Sequence, residues 1–202
     1  MALWLAGEPL LLASRSKARR TVLTAAGIPT EVRPADLDER SLETAASSPA
    51  PGAVAAFLAR GKASAVADRW PGRLTLGADQ TLALGAERFA KPADRTAARA
   101  QLRALRGRTH ELHSAVAVVK DATLLFEHVG IARLTMRSFT DEFLELYLDG
   151  AGGAATASVG GYQIEGLGIQ LFERVDGDYF TVLGLPLMQL LDFLRQAGCL
   201  AP

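Results

Sequence analysis

The stretch LLLASRSKARRTV, residues 10–22, sets a small hydroxylated turn and four cations directly after an apolar run. Leu10, Leu11, Leu12 and Ala13 read as a buried strand and Ser14 to Lys17 as a turn. Ala18, Val22, Ala25 and Ala26 then form the apolar face of a helix that Gly27 and Pro29 stop. A helix that begins here aims its unpaired backbone N–H groups, and about half a positive charge, at whatever lies above the strand end. Arg15, Lys17, Arg19 and Arg20 strengthen that field. The planar fork of an arginine matches two phosphate oxygens at once. The segment reads either as an anion site suited to a polyphosphate or as an ordinary βα turn with solvated cations.

Working outward, the punctuation of the chain repeats this alternation. Thr30–Arg33 is a short strand leading into the acidic turn Ala35-Asp36-Leu37-Asp38-Glu39. Residues 47–52 have linker composition but are too few to separate domains. Val54, Phe57, Leu58, Ala65 and Val66 recur with helical spacing, which puts Lys62 at the margin of an apolar face. Leu74–Ala78 reads as a strand with Asp79 at its carboxyl end, and residues 82–90 as a hairpin around Gly85. Asp94 is a cap for a helix carrying Ala98, Leu102 and Leu105, closed by Gly107. Two strands, 111–119 and 124–137, meet at a Lys120-Asp121 turn, and Thr140 caps a helix running to Gly150. The last third reads as strand 169–175, a turn at Asp176-Gly177, strand 179–183 and helix 187–197. Hairpins mixed with crossover helices predict an α/β protein with a mixed sheet, and no repeat of fixed period is present.

Composition bounds the partners. With 202 residues, 49% hydrophobic and 22% charged, the chain can bury a core as one domain or as two lobes sharing a cleft. Lys plus Arg and Asp plus Glu are both 22, so the formal net charge is zero and nothing argues for long nucleic acid as partner. The single cysteine, Cys199, cannot form an intramolecular disulfide, which fits a reducing cytoplasm. At the amino end the cations follow the apolar stretch and Glu8 and Pro9 interrupt it, the reverse of a secretory signal. No run of about 18 apolar residues predicts a membrane span.

The chemistry centres on LGADQT, residues 76–81, which sets the Asp79 carboxylate at a strand end, where open α/β sheets collect ligands. Such a carboxylate binds a divalent cation, takes a proton from an attacking water, or merely caps the next turn. Lys91 beside Pro92, and the cation in GRTHE at 107–111, are weak signals alone. His110, His113 and His128 have no metal-type spacing with cysteine, and neither G-x-S-x-G nor a Walker A loop occurs, which argues against zinc sites, serine hydrolases and P-loop ATPases. Asp36 and Asp38 follow a proline instead of a buried strand, a poor match to a phosphatase nucleophile.

The order of the segments LASRSKARR (12–20), PADLDE (34–39), Lys62, LGADQT (76–81), KP (91–92), GRTHE (107–111), GGYQIEGLG (160–168) and GDYFTVLGLPL (177–187) resembles the Maf family, the septum-formation-associated nucleotide pyrophosphatases, from Pro9 to Gly198. The resemblance implies one domain spanning residues 1–202, a mixed, twisted sheet with flanking helices, and two lobes around a central nucleotide cleft. It implies hydrolysis of a nucleoside triphosphate between the α and β phosphorus atoms, in the cytoplasm, with Mg²⁺ or Mn²⁺ as cofactor and a homodimer as the assembly. Arg19, Arg20, Lys62 and Lys91 would bind phosphate with Ser14 completing the cradle. Asp79 would be the catalytic carboxylate, activating water directly or holding the metal with Glu39, and Gln80 and Glu165 would lie near the nucleotide, reading the base or assisting the metal. Lys17 and Ala90 stand where the family commonly has Pro and Gly. The Gln80 and Glu165 pair is similar to the branch associated with 7-methyl-GTP, UTP and CTP, whereas Tyr162 and the 177–187 segment look closer to the branch that prefers dTTP and UTP, so base preference stays open. A second reading is a non-catalytic nucleotide-binding regulator of cell division. A binding module, however, has no need of Asp79 beside a phosphate cradle.

Overall fold

Strand β1 (Leu10–Leu12) consists of three leucines without exposed surface, the continuous apolar run of a strand covered on both faces. In the computed structural model, which describes residues 3–38 and 48–202, β1 lies parallel to β2 (Thr30–Val32) and to β3 (Leu74–Leu84), pairing Leu11 with Glu31 on one side and with Thr75 on the other. Helix α1 (Lys17–Ala25) connects β1 to β2; Ser16 caps it by accepting the Arg19 amide, and Gly27 leaves it with φ +72°. Helix α2 (Pro51–Ala67) leads into β3, which turns back through Gly85 (φ +61°) as the short antiparallel strand β4 (Glu87–Phe89). Helix α3 (Arg95–Leu105), strands β5 (Thr109–Lys120) and β6 (Thr123–Met136), and helix α4 (Asp141–Ala151) follow. Strand β7 (Phe172–Asp176), a single helical turn α5 (Tyr179–Val182) and helix α6 (Leu187–Gln196) complete the order.

Hydrogen bonding orders the strands β2-β1-β3-β5-β6-β7, with β4 on β3, giving a seven-stranded mixed sheet flanked by helices. The chain forms two compact units. The first holds the described residues up to Gln80, Ser114–Gly130 and Tyr179–Pro202, and the second holds Thr81–His113 and Ile131–Asp178. Alternation builds the first unit's two layers. Leu10, Leu12, Leu76 and Ala78 face α1 and α6 in one cluster with Leu190 and Leu194. The opposite face takes α2, whose Ala55, Ala56 and Ala59 meet Ala115 and Ala117. In the second unit, Asp94 and Thr140 cap α3 and α4 by accepting the Ala97 and Phe143 amides, and Gly107 leaves α3 with φ +68°. Arg99 and Arg95 of α3 grip Glu145 of α4. Among the described residues no helix is long and apolar enough to cross a membrane.

Three expectations change. β3 does not end at Ala78 but runs to Leu84, so Asp79 is an interior strand residue; Leu82–Leu84 continue the strand because β4 pairs with them. Residues 179–183 are not a strand, since Tyr179–Val182 is helical, and residues 167–171 form a 3₁₀ helix that delays β7 to Phe172. A short apolar run satisfies both periods, and Gly184 at φ +84°, which suits a helix stop, decides it here.

Candidate active site

The turn after β1 is organised around Ser14. Its hydroxyl accepts the Ser16 amide at 3.2 Å and a proton from Arg19 Nη1 at 3.1 Å. Arg19 Nη1 also donates to the Ala78 carbonyl, and Nε to the Gly184 carbonyl, each at 2.8 Å. Arg19 is buried, gripped by oxygens from three separate segments, and its guanidinium is fixed in orientation. Its neighbour Arg20 is exposed and lines a shallow groove with Pro9, Thr24 and Pro29, so the structure does not bring it to Ser14 beside Arg19.

Asp79 sits on the β3 face that α2 covers. Lys62 Nζ donates to its Oδ1 at 2.7 Å, and both residues are more than nine-tenths buried. The expected margin position of Lys62 is therefore the contact itself. The approach is close because position 77 is glycine: a Cβ there would lie 2.0 Å from the Ala59 carbonyl oxygen and 2.7 Å from the Ala63 amide. Ala59 and Ala63 flank Lys62 on that face of α2, and the long lysine stem carries the ammonium to the carboxylate.

Gln80 points to the other face of β3. Its Nε2 meets Ser114 Oγ at 2.9 Å, the Val182 carbonyl at 3.0 Å and the Thr181 carbonyl at 3.3 Å. Ser114 was not among the residues singled out from the sequence. The only signal for it is a hydroxyl next to the buried run Ala115–Val119, and buried hydroxyls need partners.

Lys91 and Glu165 belong to the second unit and are both exposed. Lys91 follows β4, and Glu165 sits in a turn closed by the Gly166 amide on the Gln163 carbonyl. That loop is anchored by Tyr162, whose hydroxyl lies 2.6 Å from His110 Nε2, and by the Tyr147 hydroxyl, which donates to the Gly161 carbonyl at 2.9 Å. Burial raises the Tyr162 phenol well above its ordinary value, raises Tyr147 to about 12, and lowers the His110 imidazole to about 4. Glu39, the expected metal partner of Asp79, lies outside the described residues. Among the described residues no three His, Cys, Asp or Glu side chains gather at one point.

Ser14 follows β1 and Asp79 lies in the adjacent parallel strand β3, with Leu12 paired to Leu76. The first unit thus joins an anion-type turn to an oriented carboxylate that can take a proton or bind a hard cation. The family model described as Maf-like protein matches residues 9–197 of the chain. The chain is 60% identical over 201 residues to a nucleoside triphosphate pyrophosphatase of Rhodopseudomonas palustris, covering 100% of both. It is 52% identical over 201 residues to a nucleoside triphosphate pyrophosphatase of Nitrobacter winogradskyi, again covering 100% of both. A 7-methyl-GTP pyrophosphatase of Mesorhizobium japonicum is 52% identical over 195 residues, 96% of this chain and 98% of that protein.

Proposed function

The chain belongs to the Maf-like family, and from that premise we propose that it hydrolyses nucleoside triphosphates to a nucleoside monophosphate and pyrophosphate. The observation that carries the reading is the buried Lys62–Asp79 pair one strand away from the Ser14–Arg19 turn. The reaction spreads negative charge over phosphate oxygens as water attacks, so fixed cations stabilise its transition state. Arg19 and Lys62 face the triphosphate with Ser14. Asp79, oriented by Lys62, takes the proton of the attacking water while the bridging P–O bond between the α and β phosphorus atoms breaks and pyrophosphate leaves.

The oxygen donors of a carboxylate suit a hard divalent cation, which commonly uses one or two carboxylates together with phosphate oxygens and water. Asp79 with Glu39 would hold Mg²⁺ or Mn²⁺, which when bound supplies positive charge to the triphosphate oxygens. For the base, the likeness to the Mesorhizobium japonicum 7-methyl-GTP pyrophosphatase makes 7-methyl-GTP one candidate, with UTP, CTP and dTTP as others.

The test is pyrophosphate release from a panel of ordinary and modified nucleoside triphosphates, each with Mg²⁺ or Mn²⁺. Turnover of at least one of them, with a monophosphate as the second product, is expected. Nucleotide binding without any pyrophosphate would replace this reading by that of a nucleotide-binding regulator of cell division.

A further inference from the structure

Ser114 has no exposed surface. Its hydroxyl donates to the Thr181 carbonyl at 2.7 Å, and since a hydroxyl has one proton, it can only accept from Gln80. The three oxygens around Gln80 Nε2 are thus all acceptors, and they fix which way the amide lies. Turned over, its carbonyl oxygen would face two backbone carbonyls and a hydroxyl whose proton is committed.

The oxygens so held belong to one helix end. The Gly184 amide bonds the Thr181 carbonyl at 3.0 Å and the Leu185 amide the Phe180 carbonyl at 2.9 Å, the paired bonds of a glycine-terminated helix. Carbonyls in the last turn of a helix have no partner within it. Here Gln80 and Ser114 serve those of Thr181 and Val182, and the carbonyl of Gly184 accepts from Arg19 Nε. Gly184 fits between the two long side chains: a Cβ would stand 3.3 Å from Arg19 Nη2 and 3.6 Å from Gln80 Cδ.

We propose that Ser114 is a positioning residue for the nucleotide site: with Gln80 it buckles the Thr181–Gly184 turn to the sheet, and the buckled turn orients the Arg19 guanidinium for phosphate. Gln80 directs its amide protons into this buckle instead of toward a base. The inference rests on the assignment of Arg19 to phosphate, and a double-mutant cycle on the full chain separates the two. Arg19→Ala raises KM for the preferred triphosphate. Ser114→Ala raises it about 5- to 30-fold, the worth of one or two hydrogen bonds, with kcat changed less than about threefold. In the Arg19→Ala background, Ser114→Ala adds less than about twofold, because the two act through one contact. Effects that multiply, or a silent Ser114→Ala beside a raised KM for Arg19→Ala, overturn the buckle alone. An unchanged KM for Arg19→Ala overturns the phosphate assignment and the buckle with it. If Ser114→Ala does not fold, Gln80→Met removes the amide donors and is read through the same cycle.

Discussion

Lys62 and Asp79 expose only 9% and 8% of their surfaces and form a buried ion pair. Removing one partner of a buried pair costs about 3–5 kcal/mol, because the remaining charge keeps its desolvation penalty. Lys62→Met should therefore lower the unfolding free energy by about 3 kcal/mol in a urea titration. Asp79→Asn keeps the shape and an acceptor oxygen for the ammonium, so it should cost less stability, yet reduce turnover by about 10² to 10⁴ if the carboxylate takes the water's proton. Near wild-type pyrophosphate release from a folded Asp79→Asn protein would remove that carboxylate from the chemistry. At this scale the sequence supplied candidate residue types but not their geometry. It put Arg19 and Arg20 together on phosphate, whereas one residue along a helix is a turn of about 100°. Arg19 faces inward and Arg20 outward.

Between elements, the contact of α2 with β3 sets the distance between those two charges. Alanines on the helix and a glycine on the strand let the two backbones approach closely. Gly77→Ala places its methyl 2.0 Å from a backbone oxygen, which no rotamer can relieve, so α2 must move. Such overpacking costs about 1–3 kcal/mol or more, and Tm should fall by about 5–10 °C. Because Lys62 rides on α2, kcat should fall along with stability. Gly7→Ala, whose methyl meets nothing within 4 Å, should leave Tm unchanged, and equal behaviour of the two variants in a thermal melt would discredit the close-packing account. The caps at Asp94 and Thr140 and the stop at Gly107 were legible beforehand because each acts within three or four residues. The helical turn at Tyr179–Val182 was not, since its carbonyls are satisfied by Gln80 and Ser114 from distant strands.

For the molecule as a whole, the largest acid-sensitive histidine shift is that of His110 in the second unit. His110 is buried neutral, its value lowered from 6.5 to about 4 by desolvation, so the unfolded chain takes up a proton first as pH falls. Its contribution to stability is intact above about pH 6.5 and is lost between there and about pH 4, by up to about 3 kcal/mol. His128, also lowered by burial, adds in the same direction. Glu145 runs lower on the scale: hydrogen bonds from Arg99 and then Arg95 hold it at about 2, so its contribution is present above about pH 4.5 and fades between 4.5 and 2. That exposed pairing should weaken with added salt. Unfolding free energy measured from pH 7 to 4 should decline from about 6.5 downward, and His110→Phe should flatten most of that slope whatever its absolute stability. An unchanged slope in the variant would assign the acid sensitivity elsewhere.

The sequence by itself determined where the chain changes direction, which segments are helix or strand in most of its length, the mixed α/β class, and the stock of charges available for a polyphosphate. Those signals are local: a cap, a turn glycine or an alternating apolar run is read within a few residues. Only the tertiary structure decided which charges meet. The partners Lys62 and Asp79 are 17 residues apart, Arg19 and the Ala78 carbonyl 59, and Arg19 and the Gly184 carbonyl 165. Such separations close only when α2 packs on one face of the sheet and the Thr181–Gly184 turn on the other. The distance at closure depends on a missing methyl at Gly77 and a buried hydroxyl at Ser114, and no periodicity in the chain announces either.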